Sequence, residues 1–165
     1  MGMAVDITRF RAAMARFPGA VTIVTASTAG GGWRGITATA VCSVSAEPPS
    51  LLVCLNRKTG TCAAVRETGR FNVNLLTEGA SEVALRFAGV GGVTGEAKFA
   101  GGDWQADGRG LPLLAGAVAQ FCCDVAEMTD AGSHTVFIGH IVDLASAEAP
   151  ALVYEQARFH RLLPL

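Results

Sequence analysis

The stretch Ala29-Gly30-Gly31-Gly32-Trp33-Arg34-Gly35-Ile36-Thr37-Ala38-Thr39-Ala40-Val41-Cys42-Ser43-Val44-Ser45 decides the fold. Gly30 to Gly35 satisfies the spacing G-x-G-x-x-G, which elsewhere marks a dinucleotide-binding loop. Such a loop needs a strand entering the glycines and a helix leaving them, because the pyrophosphate rests on that helix's N-terminus. The residues after Gly35 are instead rich in β-branched side chains and alternate in character, and Ala20 to Ala26 before the glycines read the same way. Two strands joined by glycines predict a β-hairpin, where glycine supplies the positive φ angles of a tight turn. The acidic residue expected about twenty positions on is represented only by Glu47, inside the turn Glu47-Pro48-Pro49. The glycines are therefore read as a turn.

With 165 residues the chain fits one domain with a core of its own, spanning 1–165. Half its residues are apolar and only 16% are charged, so part of the apolar surface is expected to meet another subunit. A net charge of −1 without a basic tract argues against nucleic acid as a partner. Neither a signal peptide nor an eighteen-residue apolar run is visible, which predicts a soluble, cytoplasmic protein away from membranes. Five cysteines, none in C-x-x-C, and three distant histidines do not make a metal site, and the cysteines are read as buried reduced thiols.

Apolar positions 7, 10, 13, 14 and 17 predict an amphipathic helix over Asp6 to Phe17, stopped by Pro18-Gly19. Ser50 to Leu55 reads as a buried strand, Cys62 to Thr68 as a short helix ended by Gly69, and Phe71 to Leu76 as a half-buried strand. Glu78 to Ala88 reads as a helix with Val83, Leu85, Phe87 and Ala88 mostly inward. Val90 to Pro112 is a long glycine-rich loop held by Phe99 and Trp104, and a loop of that length is more often functional than accidental. Strands are expected at Ala117 to Glu127, Ser133 to Leu144 and Leu152 to Tyr154. Many strands, few helices and hairpin connections predict a mainly β protein, an antiparallel barrel with peripheral helices.

Thr37, Thr39, Ser43 and Ser45 fall on one face of the strand Gly35 to Ser45, a face suited either to a flat hydrogen-bonding ligand or simply to solvent. Asn56 to Thr61 offers an amide, two cations and two hydroxyls before a helix start, which suits a phosphate, with Thr61 as a plain N-cap the alternative. Arg86 near a helix end and His134 in Gly132-Ser133-His134 each fit a solvated position or a cleft. No nucleophile with a base beside it and no carboxylate pair is present, so any enzymatic chemistry falls to a cofactor.

The strand Gly35 to Ser45, followed by Pro48-Pro49-Ser50-Leu51-Leu52-Val53-Cys54-Leu55-Asn56, resembles the flavin-binding core of the short-chain flavin reductases. The likeness extends through Phe10 to Met14, Phe71 to Leu75, Arg86-Phe87-Ala88, Lys98-Phe99, Trp104, Gly132-Ser133-His134 and Phe159-His160. Where the family has Gly-Thr-His or Gly-Asp-His, this chain has Ser133 in the middle. The resemblance implies a split β-barrel that binds FMN or FAD as a homodimer, with the flavin near the subunit interface. It also implies that Thr37, Ala38, Thr39 and Ala40 line the isoalloxazine, with Ser43 and Leu55 beside them. Asn56, Arg57, Thr59 and Thr61 would hold the ribityl chain and phosphate, and Arg86 and Phe87 would approach the same ligand. His134, as the catalytic residue, would border the nicotinamide of NADH (or NADPH) with Tyr154 and Phe159. The implied reaction is hydride transfer from NADH to flavin, with reduced flavin passed to a separate flavin-dependent oxygenase of the 4-hydroxyphenylacetate 3-monooxygenase or pyrimidine-utilisation type. A flavin-binding protein without turnover and a barrel for another small ligand are the competing readings.

Overall fold

The computed structural model describes residues 4–165. Its main sheet runs through β2 (Thr22–Ser27), β3 (Trp33–Ala38), β4 (Val41–Ala46), β5 (Pro49–Asn56), β6 (Arg70–Leu75), β9 (Ala119–Ala131) and β10 (His134–Ser146). The order across the sheet is β3-β2-β6-β9-β10-β5-β4, with every neighbour antiparallel. The two edge strands, β3 and β4, are consecutive in the chain and separated only by Thr39 and Ala40. Seven flat strands would place those edges about 29 Å apart, whereas the three Cα steps from Ala38 to Val41 reach about 11 Å. The sheet must therefore roll up, and the backbone N–H of Cys54 in β5 donates to the carbonyl of Ala40 at 3.1 Å where the edges meet. The result is an antiparallel split barrel, as expected from the sequence.

Alternation along β2 explains why all six of its residues are buried. Val24 and Ala26 point into the barrel with Val53, Leu55, Phe71, Val73 and Phe137, while Val21 and Ile23 point outward under a second cluster of Leu76, Phe87, Leu114 and Leu152. Helix α2 (Gly60–Thr68) adds Cys62, Ala64 and Val65 to the barrel core and ends at Gly69 with φ 67°. Helix α3 (Ser81–Phe87) covers the outer cluster with Ala84 and Phe87. Small pairings complete the chain: β1 (Gly19–Ala20), β11 (Val153–Glu155) and β12 (Arg158–His160) form one sheet, and β7 (Trp104–Ala106) with β8 (Pro112–Leu114) another.

The glycine run is the β2–β3 turn, with Gly31 at φ 84° and paired hydrogen bonds between Thr28 and Gly32 and between Gly31 and Thr28. Several expectations are corrected. The strand predicted over Gly35 to Ser45 is two strands on opposite edges, because the barrel closes at Thr39–Ala40. The first helix, α1, spans only Ile7–Met14 with Asp6 as its cap, and its apolar side chains lie on the surface. In α3 the inward residues are Ala84 and Phe87, whereas Leu85 and Ala88 are exposed. The long loop holds two short 3-10 segments and the β7–β8 hairpin, pinned by ring contacts of Phe99 and Trp104 with Phe87. Cys42 is exposed and not buried. Asn72 and Asn74 of β6 are fully buried, because the segment through Leu114 covers them and supplies their partners.

That cover is anchored by Asp107. Burial alone would raise its pKa, but hydrogen bonds from Asn72 Nδ2 (3.0 Å) and the backbone N–H groups of Leu111 (2.9 Å) and Arg109 (2.8 Å), with the Arg109 charge, hold the carboxyl below its ordinary value. A depressed carboxylate contributes stability above the unfolded-state pKa, near pH 4, and loses it as pH falls through the folded value. Asp107→Asn is thus expected to cost about 2 kcal/mol at pH 7 and to flatten the acid limb of a urea-unfolding series taken from pH 7 to pH 2. An unchanged acid limb would remove Asp107 as its cause.

Candidate functional site

The closure that forms the barrel also forms a groove. Along β3 and the crossover, Thr37, Ala38, Thr39 and Ala40 line a cleft of 210 Å³ with Ile36, Cys54, Leu55, Asn56 and His134. Three further clefts share residues with it. Ile36 belongs as well to a 260 Å³ cleft formed with Arg34, Gly35, Thr59, Gly60, Thr61 and Lys98. Thr37 to Thr39 also face a 300 Å³ cleft lined by Leu85, Ala88, Val90, Tyr154 and Phe159. Asn56 opens into a 440 Å³ cleft with Arg57, Lys58, Gly132 and Ser133.

Local sequence explains each wall. Small side chains at Ala38, Thr39 and Ala40 leave the crossover open, and only Thr37 is tied down, its hydroxyl donating to the carbonyl of Ala84 at 2.6 Å. Asn56 ends β5 and pairs across the sheet with His134 at the start of β10, so register alone places the amide beside the imidazole. Nδ1 of His134 lies 2.8 Å from Ser133 Oγ, a pairing that orients the exposed ring. Thr59 caps α2 by accepting from the Cys62 N–H at 3.2 Å. Thr61 is 3% exposed and its hydroxyl makes no hydrogen bond among the described residues. No polar side-chain atom there is sealed without a partner, so this hydroxyl opens to the cleft that Thr61 lines.

Two cations complete that end. Lys98 Nζ donates to the carbonyls of Phe87 (2.8 Å) and Gly35 (3.3 Å), and burial pushes its pKa down. Arg34 lies against Gly60, the first residue of α2, with Glu96 at 4.0 Å as its counter-ion. Backbone N–H groups at a helix start, a free hydroxyl and two cations against one carboxylate form a donor set for an anion such as a phosphate.

Of the residues singled out from sequence, the structure brings Thr37, Ala38, Thr39, Ala40, Leu55, Asn56 and His134 together in one cleft. Thr59 and Thr61 line the adjoining cleft at the start of α2, Arg57 the one beside Gly132 and Ser133, and Tyr154 and Phe159 the one facing α3. Three others stand elsewhere. Ser43 sits on the exposed edge strand β4, past the barrel closure that separates it from Thr37, and lines none of these clefts. Phe87 is fully buried in the aromatic cluster beneath Gly35. Arg86 donates through Nε to the Lys98 carbonyl (2.9 Å) and through Nη2 to the Ala97 carbonyl (2.7 Å), so it fixes the loop that carries Lys98. Sequence reasoning gave no role to Arg34 or Lys98. Neither lies in the polar run Asn56 to Thr61, and only the pairing of β3 with β2 and the packing of the loop bring them to α2.

The family described as flavin reductase like domain matches residues 14–163. The 4-hydroxyphenylacetate 3-monooxygenase reductase component of Pseudomonas aeruginosa is 42% identical over 154 residues, 93% of this chain and 90% of that protein. The FMN reductase (NADH) RutF of Ancylobacter novellus is 39% identical over 158 residues, 95% of this chain and 86% of that protein. Among solved structures, the NADH:FAD oxidoreductase SgcE6 of Streptomyces globisporus, in complex with NAD and FAD fragments, superposes with a TM-score of 0.88 at 28% identity, covering 99% of this chain and 98% of that one.

Gly35 is the tightest point of the groove floor. A Cβ there would stand 2.5 Å from Phe87 Cε1 and 3.2 Å from Phe99 Cζ. Gly35→Ala is expected to displace the aromatic cluster and cost about 2 kcal/mol in denaturant unfolding. A cost near zero would show that the rings yield freely.

Proposed function

We propose, for a chain that belongs to the flavin reductase-like family, that the groove around the Thr39–Ala40 crossover is where flavin and nicotinamide meet. The protein is an NADH-dependent flavin reductase that supplies reduced flavin to a separate oxygenase. The observation that supports the placement best is the open hydroxyl of Thr61 at the start of α2, flanked by Arg34 and Lys98. A cleft of small apolar and hydrogen-bonding side chains next to an anion-binding set of donors suits a ligand that joins a flat polar ring to a phosphate. Thr37 to Ala40 with Leu55 and Asn56 then border the isoalloxazine, and Thr59 and Thr61 face its ribityl phosphate.

When bound, the flavin accepts at N5 the hydride that the nicotinamide carries at C4. The protein's own part is placement. The small side chains of the crossover admit the rings, the walls of Cys54 and Leu55 exclude water from one side, and the polar end fixes register along the groove. Because the hydride passes between the two ligands, no side chain has to hold or move a proton in that step, in keeping with the lack of an acid–base pair. His134, oriented by Ser133, borders the nicotinamide.

Tyr154 and Phe159 border the cleft facing α3, which shares Thr37 to Thr39 with the His134 cleft but is not lined by His134. The exposed edge strand β4, with Val44, and the exposed Val142 and Leu144 of β10 offer an apolar surface for a second copy, which supports a homodimer. No helix among the described residues is long and apolar enough to cross a membrane, and a reaction fed by NADH fits the cytoplasm.

Purified protein mixed with NADH and free FMN, FAD or riboflavin is expected to consume NADH catalytically, read as loss of absorbance at 340 nm. His134→Ala is expected to raise the KM for NADH about tenfold, about 1.4 kcal/mol, while FMN binding followed by flavin fluorescence stays unchanged. Absence of turnover would overturn the function, and equal loss of both ligands would remove His134 from the nicotinamide.

A further inference from the structure

Resting on that reading of the groove, we propose that Glu96 is a specificity-determining residue, which loosens the hold on the flavin phosphate so that flavin leaves after each reduction. The carboxylate stands beside the anion-binding set without lining it. Thr94, Gly95 and Lys98, around it in the chain, line the cleft at the start of α2. Glu96 itself faces a second cleft of 360 Å³ with Gly31, Trp33 and Phe99.

The backbone fixes it there. Glu96 Oε1 accepts from the Trp33 N–H at 3.0 Å and lies 4.0 Å from Arg34 Nη1. Gly32 leaves the room: a Cβ at that position would stand 2.8 Å from Glu96 Oε1 and 3.5 Å from Arg34 Nη1. The glycine run that has the spacing of a dinucleotide loop thus makes space for a carboxylate. With 64% of the side chain exposed, Glu96 fills no part of the core, and its charge is the feature to explain.

Arg34 is the cation with donors to spare. Lys98 Nζ already donates to the carbonyls of Phe87 and Gly35, whereas the Arg34 guanidinium makes one hydrogen bond among the described residues, from Nη1 to the Trp33 carbonyl at 2.8 Å. One guanidinium therefore answers to two anions, the resident carboxylate and an incoming phosphate. A terminal phosphate monoester carries about two negative charges at neutral pH, and a carboxylate across the same guanidinium repels them. The Arg34–Glu96 pair must also loosen before Arg34 turns fully to the phosphate. Both effects weaken phosphate binding and leave a flavin without phosphate untouched. A reductase that supplies a separate oxygenase has to release its flavin, and a site with unopposed cations would retain it.

The test pairs two flavins with two variants, read by flavin fluorescence in titrations and stopped-flow displacement. Glu96→Gln removes the charge and keeps an oxygen that accepts from the Trp33 N–H. It is expected to lower the FMN dissociation constant at least fivefold in low salt, to slow FMN dissociation at least threefold, and to leave riboflavin within twofold of wild type. In 1 M NaCl the gain for FMN is expected to shrink below twofold, because salt screens charges at the surface. Arg34→Ala is expected to weaken FMN about tenfold and to spare riboflavin. An FMN dissociation constant within twofold of wild type in Glu96→Gln overturns the proposal, as does an equal gain for riboflavin or a gain that comes wholly from faster association. In those outcomes a loss of FMN affinity in Arg34→Ala still upholds the phosphate at α2. If Arg34→Ala binds FMN as wild type does, that placement falls, and the role of Glu96 falls with it.

Discussion

Two residues, Thr39 and Ala40, connect the opposite edges of a seven-stranded sheet, and that connection forces the sheet to close. Closure sets the buried volume that Phe71, Val73, Phe137 and the α2 side chains fill, and it leaves the crossover exposed on the surface, held by the Cys54 N–H donating to the Ala40 carbonyl. A strand end freed from the ladder and flanked by small side chains is where a flat ligand can approach backbone closely. The core and the groove thus follow from one constraint.

The groove is supported from beneath by aromatic packing. Phe87, Phe99 and Trp104 meet at centroid distances of 5.0 to 5.1 Å, and Gly35 is bare because a ring occupies the space of its side chain. Arg86 and Lys98 add hydrogen bonds to carbonyls on both sides of that cluster. The segment through Val90 to Pro112 is therefore part of the site's foundation, and its cations are delivered by packing with no local motif to announce them.

Much of this was legible in the residues. The period-two pattern on both sides of Gly30 to Gly35 marks a hairpin, and the polar run before Cys62 marks a helix start, although the cap is Thr59 and not the expected Thr61, because α2 begins two residues earlier at Gly60. The break at Thr39–Ala40 was not legible, since the sequence alternates smoothly through it and only ring closure interrupts the pairing. Ser43 lies on the other edge strand from Thr37 for that reason. Arg86 and Phe87 were assigned to the ligand because they are adjacent to it in the resemblance, whereas burial of one and carbonyl contacts of the other give them structural work. Arg34 and Lys98 escaped notice because sequence distance hides what strand pairing and loop packing bring together.

Backbone amide NMR of the labelled protein during FMN titration reads directly whether flavin sits at the crossover. The predicted result is a set of shifted N–H signals confined to Ile36 through Ala40, Asn56, Gly60 and Thr61. Shifts concentrated instead around Asp107, Arg109 and Asp124, with the crossover signals unmoved, would contradict it.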